Sequence, residues 1–182
     1  MTKLLKTILS ILLALIVNVV PAYAARDTNS YDGNIFPIYA GNGSLVPPTN
    51  TLSEALDKKR TSVIVYYLDD SADSKAFAPS VSALKLIWSG AIELIPLTTD
   101  ELQNQPNDDP RKPSYYWHGR IPQVVVIDGQ GNVKLDQEGQ ISLETINEAI
   151  SEATGLEKPS YSVKIKSFNE YNSEPSVEKE QQ

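Results

Sequence analysis

The chain has 182 residues, of which 41% are hydrophobic and 21% charged, and its formal net charge is −7. This length and composition fit one globular domain with additional segments. The acidic balance disfavours nucleic acid and anionic membrane surfaces as partners. With no cysteine and a single histidine, the chain lacks the ligands of the usual zinc sites.

The first 24 residues have the pattern of a secretory signal peptide. Lys3 and Lys6 precede an apolar run over residues 9–20, and Ala22-Tyr23-Ala24 forms a small-x-small cleavage site. Cleavage after Ala24 removes two of the 16 Lys and Arg and leaves a mature net charge of about −9. The alternative is an uncleaved membrane anchor, which the run disfavours because it is shorter than the ~20 residues of a spanning helix.

The next segments predict an arm followed by alternating elements. Residues 25–50 are rich in Gly, Asn and Pro and predict an extended N-terminal arm with one edge strand near Ile35-Phe36-Pro37-Ile38. A capping box, Thr51 to Glu54, then begins a short helix. A strand (63–68), a helix with an apolar stripe at Phe77, Val81, Leu84 and Trp88, and a strand (92–97) follow.

The second half begins with a polar segment over 98–119, too long to be an ordinary connection in a compact domain. A predicted hairpin (123–128 and 133–137) and a helix capped by Ser142 follow it. Residues 158–182 form a polar tail, in which residues 161–165 alternate weakly and the acidic remainder is predicted to be disordered. The order of elements over residues 51–157 predicts an α/β, thioredoxin-like fold, with a central mixed sheet flanked by helices.

Residues 52–155 also resemble a thioredoxin-like domain at the level of motifs. Ala78-Pro79 resembles the Ala-Pro of the thioredoxin active-site helix. By that resemblance Lys75 falls on the family's lysine, Ser71 and Ser74 on its two redox cysteines, and Asp70 on the preceding tryptophan. Ile121-Pro122 resembles the Ile/Val–cis-Pro loop that faces the thioredoxin dithiol.

Serine at both cysteine positions predicts the loss of dithiol chemistry. Disulfide exchange requires a thiolate, and a serine hydroxyl is hardly ionised near neutral pH. We therefore expect no oxidoreductase activity, no catalytic residue, no metal and no cofactor. Ser71 and Ser74 are predicted to cap the helix, and Asp69, Asp70 and Asp73 suit the same helix N-terminus.

Two other chemistries are open at this place. The loop with His118 would approach the Ser71 end of the helix, so a Ser71–His118–Asp arrangement for acyl transfer would make the chain an exported hydrolase. No nucleophile elbow supports it. Asp69, Asp70 and Asp73 could hold Ca²⁺ weakly, although the alternating ligands of a calcium loop are missing.

A binding surface is the third possibility at the same end of the domain. A cis proline at 122 would expose a backbone edge that can pair with a peptide without sulfur chemistry. The rings of Tyr115, Tyr116 and Trp117 would either anchor a partner or pack onto their own domain. The predicted surface comprises Asp70, Ala72, Asp73, Tyr115, Tyr116, Trp117, Ile121 and Pro122.

The whole-chain pattern resembles one cyanobacterial group, the cysteine-free thioredoxin-like thylakoid membrane photosystem I accumulation factors. The motifs that carry this resemblance are Gly43-Ser44-Leu45-Val46-Pro47-Pro48, Tyr66-Tyr67-Leu68-Asp69-Asp70-Ser71, Asp73-Ser74-Lys75, Phe77-Ala78-Pro79, Ile95-Pro96-Leu97 and Ile121-Pro122-Gln123-Val124-Val125.

That resemblance implies residence in the thylakoid lumen or on the lumenal face of the thylakoid membrane. It also implies a non-catalytic role in photosystem I assembly. The implied partner is a membrane-protein complex or assembly intermediate, including photosystem I subunits. The alternative is a periplasmic peptide-binding domain unrelated to photosynthesis.

Overall fold

The computed structural model describes residues 26–158, 161–167 and 173–179. The predicted signal peptide, residues 1–24, lies outside these ranges. The α-helices are Ile35–Ala40 (α1), Leu52–Asp57 (α2), Ala72–Ile87 (α3) and Leu143–Thr154 (α4), with 3-10 helices at Thr99–Leu102 and Pro113–Tyr116. The strands are Thr61–Tyr67 (β1), Ile92–Thr98 (β2), Gln123–Ile127 (β3), Val133–Glu138 (β4), Tyr161–Ser167 (β5) and Ser173–Lys179 (β6).

The main sheet has four strands in the order β2-β1-β3-β4. β1 runs parallel to β2 and antiparallel to β3, with Val63 opposite both Leu94 and Val126, and β4 is antiparallel to β3. A parallel pair joined through a helix, followed by an antiparallel hairpin and a last helix, is the thioredoxin-like arrangement. The predicted fold class is therefore confirmed.

Both faces of this sheet are covered. Successive side chains of a strand point to opposite faces, so β1 divides its residues between two apolar clusters. Val63, Val65 and Tyr67 pack in the larger cluster, with α1, α3 and α4. Ile64 and Tyr66 pack in the smaller one, to which α2 and the two 3-10 helices contribute Leu52, Leu102 and Tyr116. The long segment 98–119 is thus ordered and covers the second face.

The predicted N-terminal edge strand is wrong, because Ile35–Ala40 is a helix. Asn34 caps it by accepting a hydrogen bond from the Phe36 N–H (3.0 Å), and Gly41 ends it in the left-handed region (φ 61°). A proline is tolerated in the first turn of a helix, so Pro37 does not prevent it. One face of the helix is buried and consists of Ile35, Phe36, Tyr39 and Ala40. An edge strand would have left part of this apolar surface exposed.

Two segments of the C-terminal tail are strands, and the second of them, β6, lies in the part predicted to be disordered. β5 and β6 pair antiparallel in a separate two-stranded sheet, with Val163 opposite Val177. The weak alternation of Tyr161-Ser162-Val163-Lys164-Ile165 is typical of a half-buried strand. The backbone of β6 lies against α1 and α3. An acidic composition therefore does not prevent this segment from pairing with its own continuation.

The described part of the chain contains no helix that is both long and apolar enough to cross a bilayer.

Candidate functional site

Helix α3 begins where the resemblance to thioredoxin places the first redox cysteine. Ser71 is its N-cap, with an extended backbone (φ −93°, ψ 124°), and its Oγ accepts a hydrogen bond from the Ser74 N–H at 3.3 Å. An N-cap serine satisfies one of the helix's otherwise unpaired backbone donors. The predicted capping role is confirmed for Ser71.

Ser74, which the same resemblance places at the second cysteine position, is buried, with 1% of its surface exposed. Its Oγ accepts a hydrogen bond from the Leu68 N–H at 3.1 Å, joining the helix to the end of β1. Both serine oxygens therefore accept backbone N–H groups. The Ser74 side chain is out of reach of a partner, whereas Ser71 is half-buried.

Lys75 is the most unusual residue of this helix end because its side chain is fully buried. Its Nζ donates to the carbonyl oxygens of Thr28 (3.1 Å) and Ser30 (2.6 Å) and pairs with the carboxylate of Asp32. It also lies 5.5 Å from the centre of the Tyr39 ring, within the range of a cation–π contact. A buried ammonium is stable only when it is paired and hydrogen-bonded in this way.

The carboxylate of Asp32 is held in its charged form by its partners. Burial by itself raises the pKa of Asp32, but hydrogen bonds from Lys75, Tyr39 and Ser30 outweigh it and bring the pKa below its usual range. The Tyr39 hydroxyl donates to the same carboxylate at 2.8 Å. Each charge of the Lys75–Asp32 pair is therefore balanced by the other and has further hydrogen-bond partners.

Residues 26–34, which we call the strap, lie over the first turns of α3. The Asn29 side-chain oxygen accepts a hydrogen bond from the Ala72 N–H at 2.9 Å, and Arg26 donates to the Ala76 carbonyl at 3.3 Å. We call the residues of α3 that contact it, Ala72, Lys75 and Ala76, the strap site. Part of the predicted partner surface is thus covered by the chain itself.

Asp69 holds the C-terminal end of the strap, where the strap joins α1. Its Oδ1 accepts a hydrogen bond from the Ile35 N–H at 3.0 Å. Burial raises the pKa of Asp69, and the neighbouring carboxylates of Asp70 and Asp100 raise it further. In the described ranges no group of three or more His, Cys, Asp or Glu side chains is arranged to hold a metal ion. The calcium hypothesis gains no support from the position of these aspartates.

The Ile121–Pro122 peptide bond is cis. Pro122 is buried and Ile121 half-buried. The Pro122 carbonyl accepts a hydrogen bond from the Gly139 N–H at 2.7 Å. The next residue, Gln140, donates through Nε2 to the Asp73 carbonyl in α3 at 2.8 Å. The two residues after β4 therefore bridge the proline loop and the first turn of α3, which the sequence predicted to be neighbours.

His118 belongs to a separate network. Its ring Nε2 lies 2.7 Å from Asp136 Oδ2 in β4, and its backbone N–H donates to Gln123 Oε1 at 3.1 Å. Gln123 donates in turn to Asp136 Oδ1 (2.8 Å) and to the Tyr116 carbonyl (2.7 Å). Across the described ranges, no hydrogen bond joins His118 to Ser71. The histidine therefore braces the proline loop against β4.

The three aromatic residues at 115–117 divide between the interior and the surface. Tyr116 is 6% exposed, and its hydroxyl donates to the Pro110 carbonyl at 2.8 Å. Trp117 is half-buried and stacks at 5.3 Å on Tyr66, whose pKa is raised by its burial and by nearby Asp136. Tyr115 packs edge-on against Tyr116 but is 46% exposed. Tyr115 is therefore the ring of this cluster that a partner reaches most easily.

Sequence reasoning missed the residues that complete this end of the domain: Asn29, Ser30, Asp32 and Gln140. All four are polar residues in segments without periodicity, and each makes its contact across more than 40 positions of the chain. The available signal was Lys75 itself. A lysine beside the alanines and phenylalanine of a buried helix face requires an acceptor from elsewhere.

Comparison with known proteins gives one informative relative. The chain is 38% identical over 155 residues to the thylakoid membrane protein slr1796 of Synechocystis sp.. The aligned region covers 84% of this chain and 77% of the relative. No protein-family model matches the chain.

A similar solved structure comes from work on the thiol-resolving mechanism of yeast mitochondrial 1-Cys peroxiredoxin through the glutathione and thioredoxin systems. It has a TM-score of 0.41 and 14% identity, covering 55% of this chain and 85% of that one. The fold assignment rests on the strand order described above. By its identity over most of both lengths, the chain belongs to the family of the Synechocystis thylakoid membrane protein slr1796.

Proposed function

We propose that this protein acts at the thylakoid, in the lumen or on the lumenal face of the membrane, as an accumulation or assembly factor for photosystem I. It works by protein–protein contact and without redox turnover. The proposal rests on the family of the chain, whose Synechocystis member is a thylakoid membrane protein, and on the cysteine-free resemblance to the accumulation factors.

The proposal that the protein works without redox turnover is supported by the roles of the Ser71 and Ser74 side-chain oxygens. Ser71 Oγ and Ser74 Oγ each accept a backbone N–H, at 3.3 and 3.1 Å, in a chain that has no cysteine. Neither position offers a group that can be oxidised and reduced reversibly. What this end of the domain offers is the bridged proline loop and the polar start of α3, while Tyr115 is exposed beside the second apolar cluster.

The hydrolase alternative requires a nucleophile activated by a base within hydrogen-bonding reach. His118 has the oriented carboxylate such a base needs, since Asp136 lies 2.7 Å from it. Ser71, however, is engaged with the backbone of its own helix, and no hydrogen bond between Ser71 and His118 occurs in the ranges the structure describes. This arrangement favours binding over acyl transfer.

The proposal is tested by affinity purification of the tagged chain from native thylakoid membranes. We expect photosystem I subunits or assembly intermediates to be retained, and a deletion strain to accumulate less photosystem I than its parent. His118→Ala distinguishes the two functions, because only the hydrolase predicts that this variant loses turnover while staying folded. A tagged chain that retains no photosystem subunit, in a strain with normal photosystem I, would contradict the proposal.

A further inference from the structure

The strap covers the strap site with polar contacts and little apolar burial. Every residue from 26 to 34 keeps part of its surface exposed, and Tyr31 is 75% exposed. By contrast, the helix that follows buries Ile35, Phe36 and Tyr39 almost completely. Segments with few buried apolar contacts open locally at low free-energy cost. Opening of the strap therefore costs mainly its polar contacts with α3, including the Lys75–Asp32 pair, while apolar burial keeps α1 in place.

The group that the strap encloses is a charge, which is costly to bury. Lys75 has a side-chain exposure of 0%, and its Asp32 partner of 8%. Replacing a buried ion pair by apolar residues of similar volume is often neutral or stabilising, so stability alone does not explain such a pair. Selective recognition of a segment does explain the buried pair. Only a segment that places hydrogen-bond acceptors around the Lys75 ammonium can cover it at low cost.

The acceptors on the strap follow a simple spacing. Lys75 Nζ donates to the carbonyl oxygens of Thr28 and Ser30 and to the carboxylate of Asp32, which belong to alternate residues. One residue of α3 before Lys75 and one after it also contact the strap. Ala72 contributes a backbone N–H donor, and Ala76 contributes a carbonyl acceptor. This is a recognition pattern for a short polar segment with a carboxylate at its end.

The charge around the site would change when the strap leaves. Asp69 and Asp70 precede the N-cap of α3 and Asp73 lies in its first turn, so the start of the helix is acidic while Lys75 is covered. Opening uncovers one ammonium among them. A neutral segment can offer that ammonium only neutral acceptors such as carbonyl oxygens, whereas a carboxylate placed where Asp32 lies also regains the ion pair.

We propose that the strap site binds a short carboxylate-bearing segment of a partner protein, and that the chain's own residues 28–32 occupy it until the partner displaces them. This inference rests on the proposed function, since it describes how the same end of the domain engages its partner. The strap then acts as a resident competitor with a high effective concentration because it is tethered.

A synthetic peptide of the strap sequence, residues 26–34 with a fluorescent label, tests the site directly by anisotropy titration. We expect it to bind the mature chain carrying Asp32→Asn at least tenfold more tightly than the wild-type chain, whose intact strap competes. The same peptide carrying Asp32→Asn should bind at least tenfold more weakly. Lys75→Met in the Asp32→Asn chain should abolish binding. If Lys75→Met does not fold, the two peptides alone decide.

Three results would overturn the inference. The first is no saturable binding to an Asp32→Asn chain whose circular dichroism matches the wild type. The second is equal binding of the two peptides. The third is a concentration-dependent dimer of the Asp32→Asn chain that the peptide dissolves, because the site would then serve strap exchange between copies.

Elution of the thylakoid pull-down with the same two peptides separates this inference from the proposed function. Release of bound photosystem I subunits by the wild-type peptide only supports both. Retained photosystem subunits that neither peptide releases overturn the strap site and leave the proposed function intact. Specific release of other membrane proteins, without photosystem subunits, supports the strap site and contradicts the proposed function.

Discussion

The ammonium of Lys75 and the carboxylate of Asp32 form a buried ion pair between residues 43 positions apart. By the resemblance to thioredoxins, Lys75 falls one residue after the second cysteine position, and Asp32 lies in the strap. The pair therefore fastens the N-terminal segment onto the helix end that carries redox chemistry in thioredoxins. In this chain that helix end is a covered polar site.

Removing the charge of Asp32 should lower the free energy of unfolding by about 1–3 kcal/mol. Breaking a fully buried pair costs about 3–5 kcal/mol because a charge is left without a partner. Here the loss is smaller, since Lys75 keeps the Thr28 and Ser30 carbonyls and the strap can open to let water reach it. Urea unfolding of Asp32→Asn against wild type measures the difference.

The matched control for this change is Asp57→Asn. Asp57 pairs with Arg111 at 2.6 Å, but the two side chains are 65% and 46% exposed. Exposed pairs contribute about 0–1 kcal/mol. If Asp32→Asn costs no more than this control, the Lys75–Asp32 pair does not hold the strap.

The contribution of Asp32 should depend on pH in a defined direction. Because the folded-state pKa of Asp32 is lowered, its stabilisation is present above the unfolded-state pKa of about 3.9 and is lost as the pH falls through the lower folded-state value. The stability difference between wild type and Asp32→Asn should therefore be full at pH 7 and shrink below about pH 4. Urea midpoints of both chains at pH 7 and pH 3 test this. A constant difference would mean that the carboxylate charge is not the stabilising feature.

The main elements were predictable because their signals are local. Three strands follow from short apolar runs and the fourth from the turn that precedes it, and the caps at Thr51, Ser71 and Ser142 follow from residue type and spacing. The mixed character of the sheet followed from the element order, since a parallel pair needs a crossover connection and a short turn joins antiparallel strands. The position of the cis proline followed from the resemblance to thioredoxins.

What the sequence did not predict depends on contacts between distant segments. Helix α1 has only six residues, too few for a periodic signal, and it forms because Ile35, Phe36 and Tyr39 can be buried together. The strap has no periodicity, and its position depends on an ammonium 43 residues away. Short helices are stabilised mainly by tertiary packing and not by their own propensity.

Ser71→Ala should lower the free energy of unfolding by about 1 kcal/mol, and Ser71→Gly by only a few tenths. The reason is that alanine removes the cap acceptor for the Ser74 N–H, whereas glycine leaves the backbone open to water. Chemical denaturation of the three chains measures both effects. Partner retention should be unchanged in both variants. A folded Ser71→Ala chain that no longer retains its partner would show that the hydroxyl does more than cap the helix.

Tyr115 and Tyr116 should respond in opposite ways to truncation. Tyr116→Ala removes a ring that is 6% exposed in the second core cluster and should cost about 3–5 kcal/mol of unfolding free energy, as other buried aromatic truncations do. Tyr115→Ala removes a ring that is 46% exposed, and should change that free energy by less than about 1 kcal/mol.

Partner retention tests the binding role of Tyr115, whose truncation is expected to leave the fold stable. If Tyr115 anchors a partner, the stable Tyr115→Ala chain should retain at least tenfold less photosystem I from thylakoid membranes, since exposed aromatics at an interface carry a large part of the binding free energy. Leu156→Ala is the matched control, because Leu156 is 50% exposed and follows α4, outside the predicted partner surface. Equal retention by Tyr115→Ala and Leu156→Ala would remove the aromatic segment from the binding surface. The strap site and the proline loop would then be its remaining parts.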